Sequence, residues 1–240
     1  MSNYDMIQFC KDCKSVNITL TDLQMKQFQR YYELLVEWNS FMNLTAITEY
    51  SEVLKKHFFD SLSIAKTMDM TKVISMIDIG TGAGFPGIPL KIAFPHLKVV
   101  LLDSLGKRIK FLNSVIEELQ LKNIEAIHGR AEDFAKDVKY REQFDLSVSR
   151  AVANLASLSE YCIPYIKIGG SFVSYKSVKA EEEIHNAEKA ISVLGGKVEN
   201  ICKFELLDTG ERTLVKMKKV KKTDKKYPRK AGMPSREPIQ

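Results

Sequence analysis

From position 73 onward the chain alternates two hydrophobic patterns. Short apolar runs, VISMIDI (73–79), KVVLLD (98–103), IEAIH (124–128), FDLSVS (144–149) and SFVSY (171–175), read as buried strands. Each is followed by apolar residues at three- and four-residue steps: GIPLKIAF, KRIKFLNSVIEELQL, EDFAKDV, NLASLSEYCIPYI and EEEIHNAEKAISVL. Five βα units in succession predict a parallel sheet with helices on both faces. The finish differs. VENICKFEL and RTLVKMKKV are separated only by the polar turn LDTGE, which predicts an antiparallel hairpin. The expected fold is α/β, a seven-stranded, mostly parallel sheet closed by that hairpin.

Before position 71 the pattern is purely helical. In residues 21–42 Thr21 and Gln24 have the spacing of a capping box, and Leu23, Phe28, Tyr31, Leu35, Trp38 and Met42 recur as one face. A second helix is expected after Ser51, with Val53, Leu54, Phe58, Leu62 and Ala65 on its apolar side. The expected organisation is a helical cap (1–70), a sheet domain (71–220) and a basic C-terminal tail (221–240).

At 240 residues and 45% hydrophobic, the chain can bury one sizeable core. No apolar run nears the ~18 residues of a membrane span, and the N-terminus has no basic-then-apolar leader pattern. The expectation is a cytoplasmic enzyme without a membrane partner. The net charge of +6 conceals an asymmetry. Nine basic residues and one acid, Asp224, lie between Lys216 and Lys230, which leaves the remainder of the chain at −2. Such a patch is the footprint of a polyanion, or a solvated tail. Cys10 and Cys13 have metal-pair spacing but lack a second pair, so no metal site is expected and all four cysteines read as reduced thiols.

The chemistry concentrates in IDIGTGAGFPG, residues 77–87. Gly82-x-Gly84-x-x-Gly87 spells a dinucleotide fingerprint, whereas Asp78-x-Gly80-x-Gly82-x-Gly84 suits S-adenosylmethionine (SAM). A pyrophosphate needs free N–H donors at the following helix N-terminus, and Pro86 and Pro89 remove two of them. SAM has no phosphate, and Asp78 can face its cationic groups. Asp103 ends the second strand, placed to accept ribose hydroxyls, and Glu132 and Asp133 follow the third, where an adenine edge would lie. Any one of these acids could be a turn or capping carboxylate. Three at successive strand ends favour SAM over a nicotinamide cofactor.

These residues resemble the RsmG (glucose-inhibited division protein B) family, guanine-N7 methyltransferases of 16S ribosomal RNA. The match runs through WNSFMNLTAI (38–47), HFFDSL (57–62), DIGTGAGFPGIPL (78–90), LLDSLGKRIKFL (101–112), GRAEDF (129–134), SRAVANL (149–155) and YPRKAGMPSREPI (227–239). The resemblance implies a class I, Rossmann-like SAM-dependent methyltransferase fold. It also implies S-adenosyl-L-methionine as cofactor and 16S rRNA or the small ribosomal subunit as partner. The implied cofactor residues are Asp78, Gly80, Gly82, Gly84 and Phe85, then Asp103, Ser104 and Leu105, then Ala131, Glu132 and Arg150. One departure is visible: the family's Lys-Gly after the fifth strand is Lys176-Ser177 here.

Guanine N7 carries a free lone pair, so methylating it requires in-line positioning but no general base. No catalytic acid or base is expected. Arg150 is the candidate orienting residue, on the cofactor carboxylate, guanine O6 or a phosphate, unless it is merely ion-paired at the turn. Asn39, Asn43, His57 and Asp60 are expected chiefly to cap helices or satisfy the loop between them. The RNA-binding candidates are Lys176, Lys218, Lys219, Lys221, Lys222, Lys225, Lys226, Arg229 and Lys230. Removing residues 221–240 is expected to weaken RNA binding and spare SAM affinity. The alternatives are a SAM-binding, RNA-associated protein without catalysis and an NAD(P)-dependent oxidoreductase.

Overall fold

The structure is a computed structural model that describes residues 4–150, 153–176 and 180–240. Helix α1 (Met6–Ser15), which the sequence pattern does not foretell, precedes α2 (Asp22–Met42). Thr21 caps α2 and the capping box forms, with Thr21 N donating to Gln24 Oε1 at 2.8 Å. The buried face of α2 starts at Gln24 and runs through Phe28, Tyr31, Leu34 and Leu35. Leu23 faces outward at 65% exposure, contrary to expectation, because it lies off that stripe.

The next helical run opens as α3 (Tyr50–Val53), widens into a π-helical stretch at Leu54–Phe59 and returns to α4 (Asp60–Leu62). The sheet follows: β1 (Ser75–Ile79), α5 (Gly87–Ala93), β2 (Lys98–Asp103), α6 (Gly106–Glu118), β3 (Ile124–His128), α7 (Ala131–Phe134) and β4 (Phe144–Ser149). Then come α8 (Leu155–Cys162), β5 (Ile166–Lys176), α9 (Ala180–Val193), β6 (Gly196–Glu205), β7 (Glu211–Lys219) and a last turn of helix, α10 (Met233–Arg236). The spatial order is β3-β2-β1-β4-β5-β7-β6. β1 to β5 are parallel and β7 runs antiparallel between β5 and β6, so the predicted hairpin forms.

Period-two alternation sorts the strand residues into two cores. Met76, Val99, Leu101, Leu146, Val148, Val173 and Leu214 pack with α2, the π-helical stretch, α5 and α6. Ile77, Val100, Leu102, Phe172, Val215 and Met217 pack with α8 and α9 on the other face. The N-terminal helices therefore share the core of one sheet face. Gln24 fastens them by donating to Ile92 O at 2.7 Å, at the end of α5.

Residues 221–240 are not a free tail. They fold back from the amino end of β4, past α8, to the carboxyl edge of the parallel strands. Arg141 donates to the carbonyls of Thr223, Asp224 and Tyr227, Ser157 Oγ donates to Pro234 O, and Pro234 is buried.

Candidate active site

The topological switch lies at β1, where the strand order reverses between β2 and β4, and ligands of open α/β sheets bind outside such carboxyl ends. The glycine loop leaves β1 here. Gly80, Gly82 and Gly84 have φ of 71°, 64° and 98°, left-handed values that favour glycine. A Cβ on Gly84 would meet Tyr31 Oη at 2.7 Å, so α2 packs directly on the loop. Tyr31 Oη also donates to Ala83 O.

The helix that follows offers little to a phosphate. Gly87 N donates to Asp78 Oδ2 at 2.8 Å, Ile88 N to Gly84 O at 2.8 Å, Pro89 has no N–H, and Leu90 N turns to Pro86 O at 3.2 Å. This disposes of the dinucleotide reading on physical grounds. The carboxylate of Asp78 is fully buried beneath the loop, its Oδ2 accepting from Gly87 N and Thr81 Oγ1. Burial pushes that carboxyl up to about 7.

Two clefts open along this edge. The first, of about 280 Å³, is lined by Gly80, Asp103, Ser104, Ala131, Glu132 and Gly232 among others. Asp103 accepts from Gly82 N (2.9 Å), Leu105 N (2.9 Å) and Arg108 (3.1 Å). Three donors orient the carboxylate, and its other lone pairs suit a diol. Glu132, buried, accepts from Gly232 N at 2.7 Å, so the C-terminal strap forms one wall. Leu105 contributes its N–H to Asp103, while its side chain is 43% exposed.

The second cleft, of about 750 Å³, lies at the ends of β4 and β5 and is lined by Lys56, His57, Asp60, Arg150, Tyr175, Lys176, Glu183 and Arg212 among others. Arg150 donates to Lys56 O (3.0 Å) and Asp60 Oδ2 (2.8 Å), meets His57 Nδ1 at 3.2 Å, and lies 4.9 Å from the centre of the Phe85 ring. Arginine only donates, so His57 Nδ1 is an acceptor and Nε2 carries the proton toward Thr45 Oγ1, 2.8 Å away. Burial first, and Arg150 second, hold this imidazole down at about 3, hence neutral. Its ring stacks on Phe85 at 4.5 Å. Asp60 also meets Arg212 Nε at 3.3 Å.

His57 and Asp60 thus belong to the cleft. Asn39 and Asn43 keep the expected capping roles: Asn39 Oδ1 accepts from Thr45 N, and Asn43 ends α2 in the left-handed conformation. Arg212, Glu183 and Gly232 were not foretold. They arrive from β7, α9 and the strap, and only the tertiary fold brings them to the edge.

Three of the expected RNA-binding cations are committed inward. Lys219 is 1% exposed and donates to Ile163 O, Leu194 O and Thr223 Oγ1 beside Glu142, with burial pulling its ammonium down to about 8. Arg229 forks onto the buried Glu160, at 2.7 Å from Nη2. Lys176 donates to Ala153 O and pairs with Glu183, lining the cleft instead of the outer surface. Lys221, Lys222, Lys225, Lys226 and Lys230 are exposed, and Lys218 is half-buried. Ser177, with Ala151 and Val152 of the SRAVANL motif, lies outside the described residues. Cys13 is in the core and Cys10 half-buried on α1. Among the described residues no group of three or more metal-ligating side chains gathers, and no helix is long and apolar enough to cross a membrane.

A family model described as rRNA small subunit methyltransferase G (GidB) matches residues 24–215. The chain belongs to this family. A family member of that name from Lachnoclostridium phytofermentans is 56% identical over 236 residues, covering 98% of each chain. Another, from Clostridium botulinum (strain Loch Maree / Type A3), is 51% identical over 240 residues and covers all of both chains. Among solved structures, an O-methyltransferase from Bacillus cereus in complex with SAH aligns with a TM-score of 0.59 at 16% identity, over 90% of this chain and 100% of that one. A SAM-dependent methyltransferase from Aquifex aeolicus aligns at 0.54 and 18% identity, over 72% of this chain and 94% of that one. The family fold is that of a class I SAM-dependent methyltransferase, and its cofactor is S-adenosyl-L-methionine.

Proposed function

We propose that this protein transfers the methyl of SAM to N7 of one guanosine in 16S rRNA, presented by the small ribosomal subunit or its RNA. The observation that carries this reading is the pair of clefts flanking the end of β1, one lined by acids suited to an adenosine and the other by cations suited to a nucleotide. In the first, Asp103 accepts the ribose hydroxyls, Ser104 and Leu105 border the sugar, and Ala131 and Glu132 border the base. Gly80, Gly82, Gly84 and Phe85 floor the methionine end.

SAM supplies a methyl on a sulfonium, and the chain's own groups do the rest by placement. The imidazole in the second cleft has its acceptor nitrogen engaged by Arg150, in keeping with an acceptor atom that needs no base. Arg150, gripped by the π-helical stretch, orients the incoming nucleotide through a donor fork. A cation there does not oppose the positive charge spreading into the guanine, provided it stays on a phosphate or the cofactor carboxylate. The exposed lysines at 221, 222, 225, 226 and 230, with Lys218, hold the RNA backbone outside and supply register, not sequence. Methyl-tritiated SAM with small-subunit RNA is expected to place its label in 7-methylguanosine on nucleoside analysis. Label in another nucleoside, or none, overturns the proposal.

A further inference from the structure

The second cleft contains an ion pair that positioning by Arg150 leaves without a role. Lys176 Nζ lies 2.7 Å from Glu183 Oε2, with the two side chains 8% and 32% exposed. Both ends are fixed by Ala153 and by Leu155, the first residue of α8. Lys176 Nζ donates to Ala153 O at 2.5 Å, and Leu155 N donates to Glu183 Oε2 at 3.1 Å. Among the described residues this leaves one lysine N–H donor and the second carboxylate oxygen, Oε1, without a partner. The pair therefore offers the cleft a donor beside an acceptor, at rigid spacing.

Guanine has the complementary edge. Its O6 accepts, while the adjacent N1–H and N2–H₂ donate. Adenine reverses the order, with a donor at N6 and an acceptor at N1. We propose that the Lys176–Glu183 pair reads the Watson–Crick edge of the target guanine, Nζ donating to O6 and Oε1 accepting from N1–H and N2–H₂. This rests on the reading of the protein as a guanosine methyltransferase. Adenine would set donor against donor and acceptor against acceptor, leaving buried polar groups unpaired, the strongest form of rejection. The acceptor also acts on rate. Methylation at N7 makes the ring cationic and N1–H a stronger donor, so the bond to Glu183 tightens as the reaction proceeds.

A tether between α8 and α9 is the competing role for Glu183, and it predicts no preference among bases. The test uses the full chain and single-turnover transfer to RNA carrying guanosine or inosine at the target. Inosine keeps O6 and N1–H and lacks the N2 amine. Wild type is expected to prefer guanosine by about tenfold, a fraction of what a full bidentate base contact provides. Glu183→Gln retains an acceptor for Leu155 N. It is expected to slow transfer to guanosine by about 10- to 100-fold and to bring the guanosine-to-inosine ratio near one. Its SAM affinity should stay within about twofold of wild type. Equal rates on the two RNAs in wild type, or an unchanged ratio in the variant, overturn the proposal, and the first needs no variant to fold. Failure of wild type to label guanosine at all would instead overturn the reading beneath it.

Discussion

Arg150 is held by three groups of one short helical segment, Lys56 O, His57 Nδ1 and Asp60 Oδ2. That dense support makes the alanine variant a poor probe, because removing the partner of the buried Asp60 leaves a carboxylate facing only Arg212 and costs about 3 kcal/mol. Arg150→Lys keeps the charge and loses the fork. It is expected to melt near wild type and to transfer methyl at least about tenfold more slowly, as bidentate sites do not tolerate the exchange. Two buried groups set opposing pH dependences. Asp78 has its carboxyl raised to about 7, so the native state holds a proton that the unfolded chain releases, and stability falls as pH rises from the ordinary carboxylate range to about 7. His57 is lowered to about 3, so the unfolded chain takes up the proton, and stability falls as pH drops from the ordinary imidazole range toward 3. The two offset in wild type. Asp78→Asn should therefore become more acid-sensitive and His57→Gln more sensitive to rising pH, as read from melting temperature between about pH 4 and 7.

At the scale of elements, the C-terminal strap inverts an expectation drawn from charge. Its basic residues suggested a solvated RNA tail, yet Gly232 N caps Glu132 inside the acid-lined cleft and Arg229 anchors the strap on Glu160. Deleting residues 231–240 is expected to weaken SAM binding by about tenfold, on the order of 1.4 kcal/mol, as followed by calorimetry. Unchanged SAM affinity would mean that the strap merely lies beside the cofactor. The strands, the hairpin and the capped α2 were legible in the sequence because period two, period 3.6 and a capping box are local signals. The grouping of acids in the first cleft was legible for the same reason, Asp103 ending β2 and Glu132 following the end of β3. The second cleft was not. Arg212 and Glu183 meet there only through the insertion of β7 between β5 and β6 and the packing of α9, just as Gly232 reaches the first cleft only through the return of the strap. Nothing local separates the core lysine Lys219 from half-buried Lys218, its neighbour on β7. Strand alternation decides that, and only once the outer face is known.

Across the whole molecule, attraction for RNA and affinity for SAM are carried by different groups. Replacing Lys221, Lys222, Lys225 and Lys226 together with glutamine should weaken RNA binding and flatten the slope of log affinity against log salt by up to about 3, while SAM affinity holds. A fall in SAM affinity would instead show that these lysines stabilise the strap. The proposed reaction asks both clefts, the π-helical grip on Arg150 and the engaged imidazole of His57 only to place two reactants, and to move no proton. This is checked by the single-turnover rate of methyl transfer, at saturating SAM and RNA, between about pH 7.5 and 9. A rate that stays flat within about twofold is the expected result. A tenfold rise per pH unit would put a titrating base in the cleft, and contradict a reaction carried by position alone.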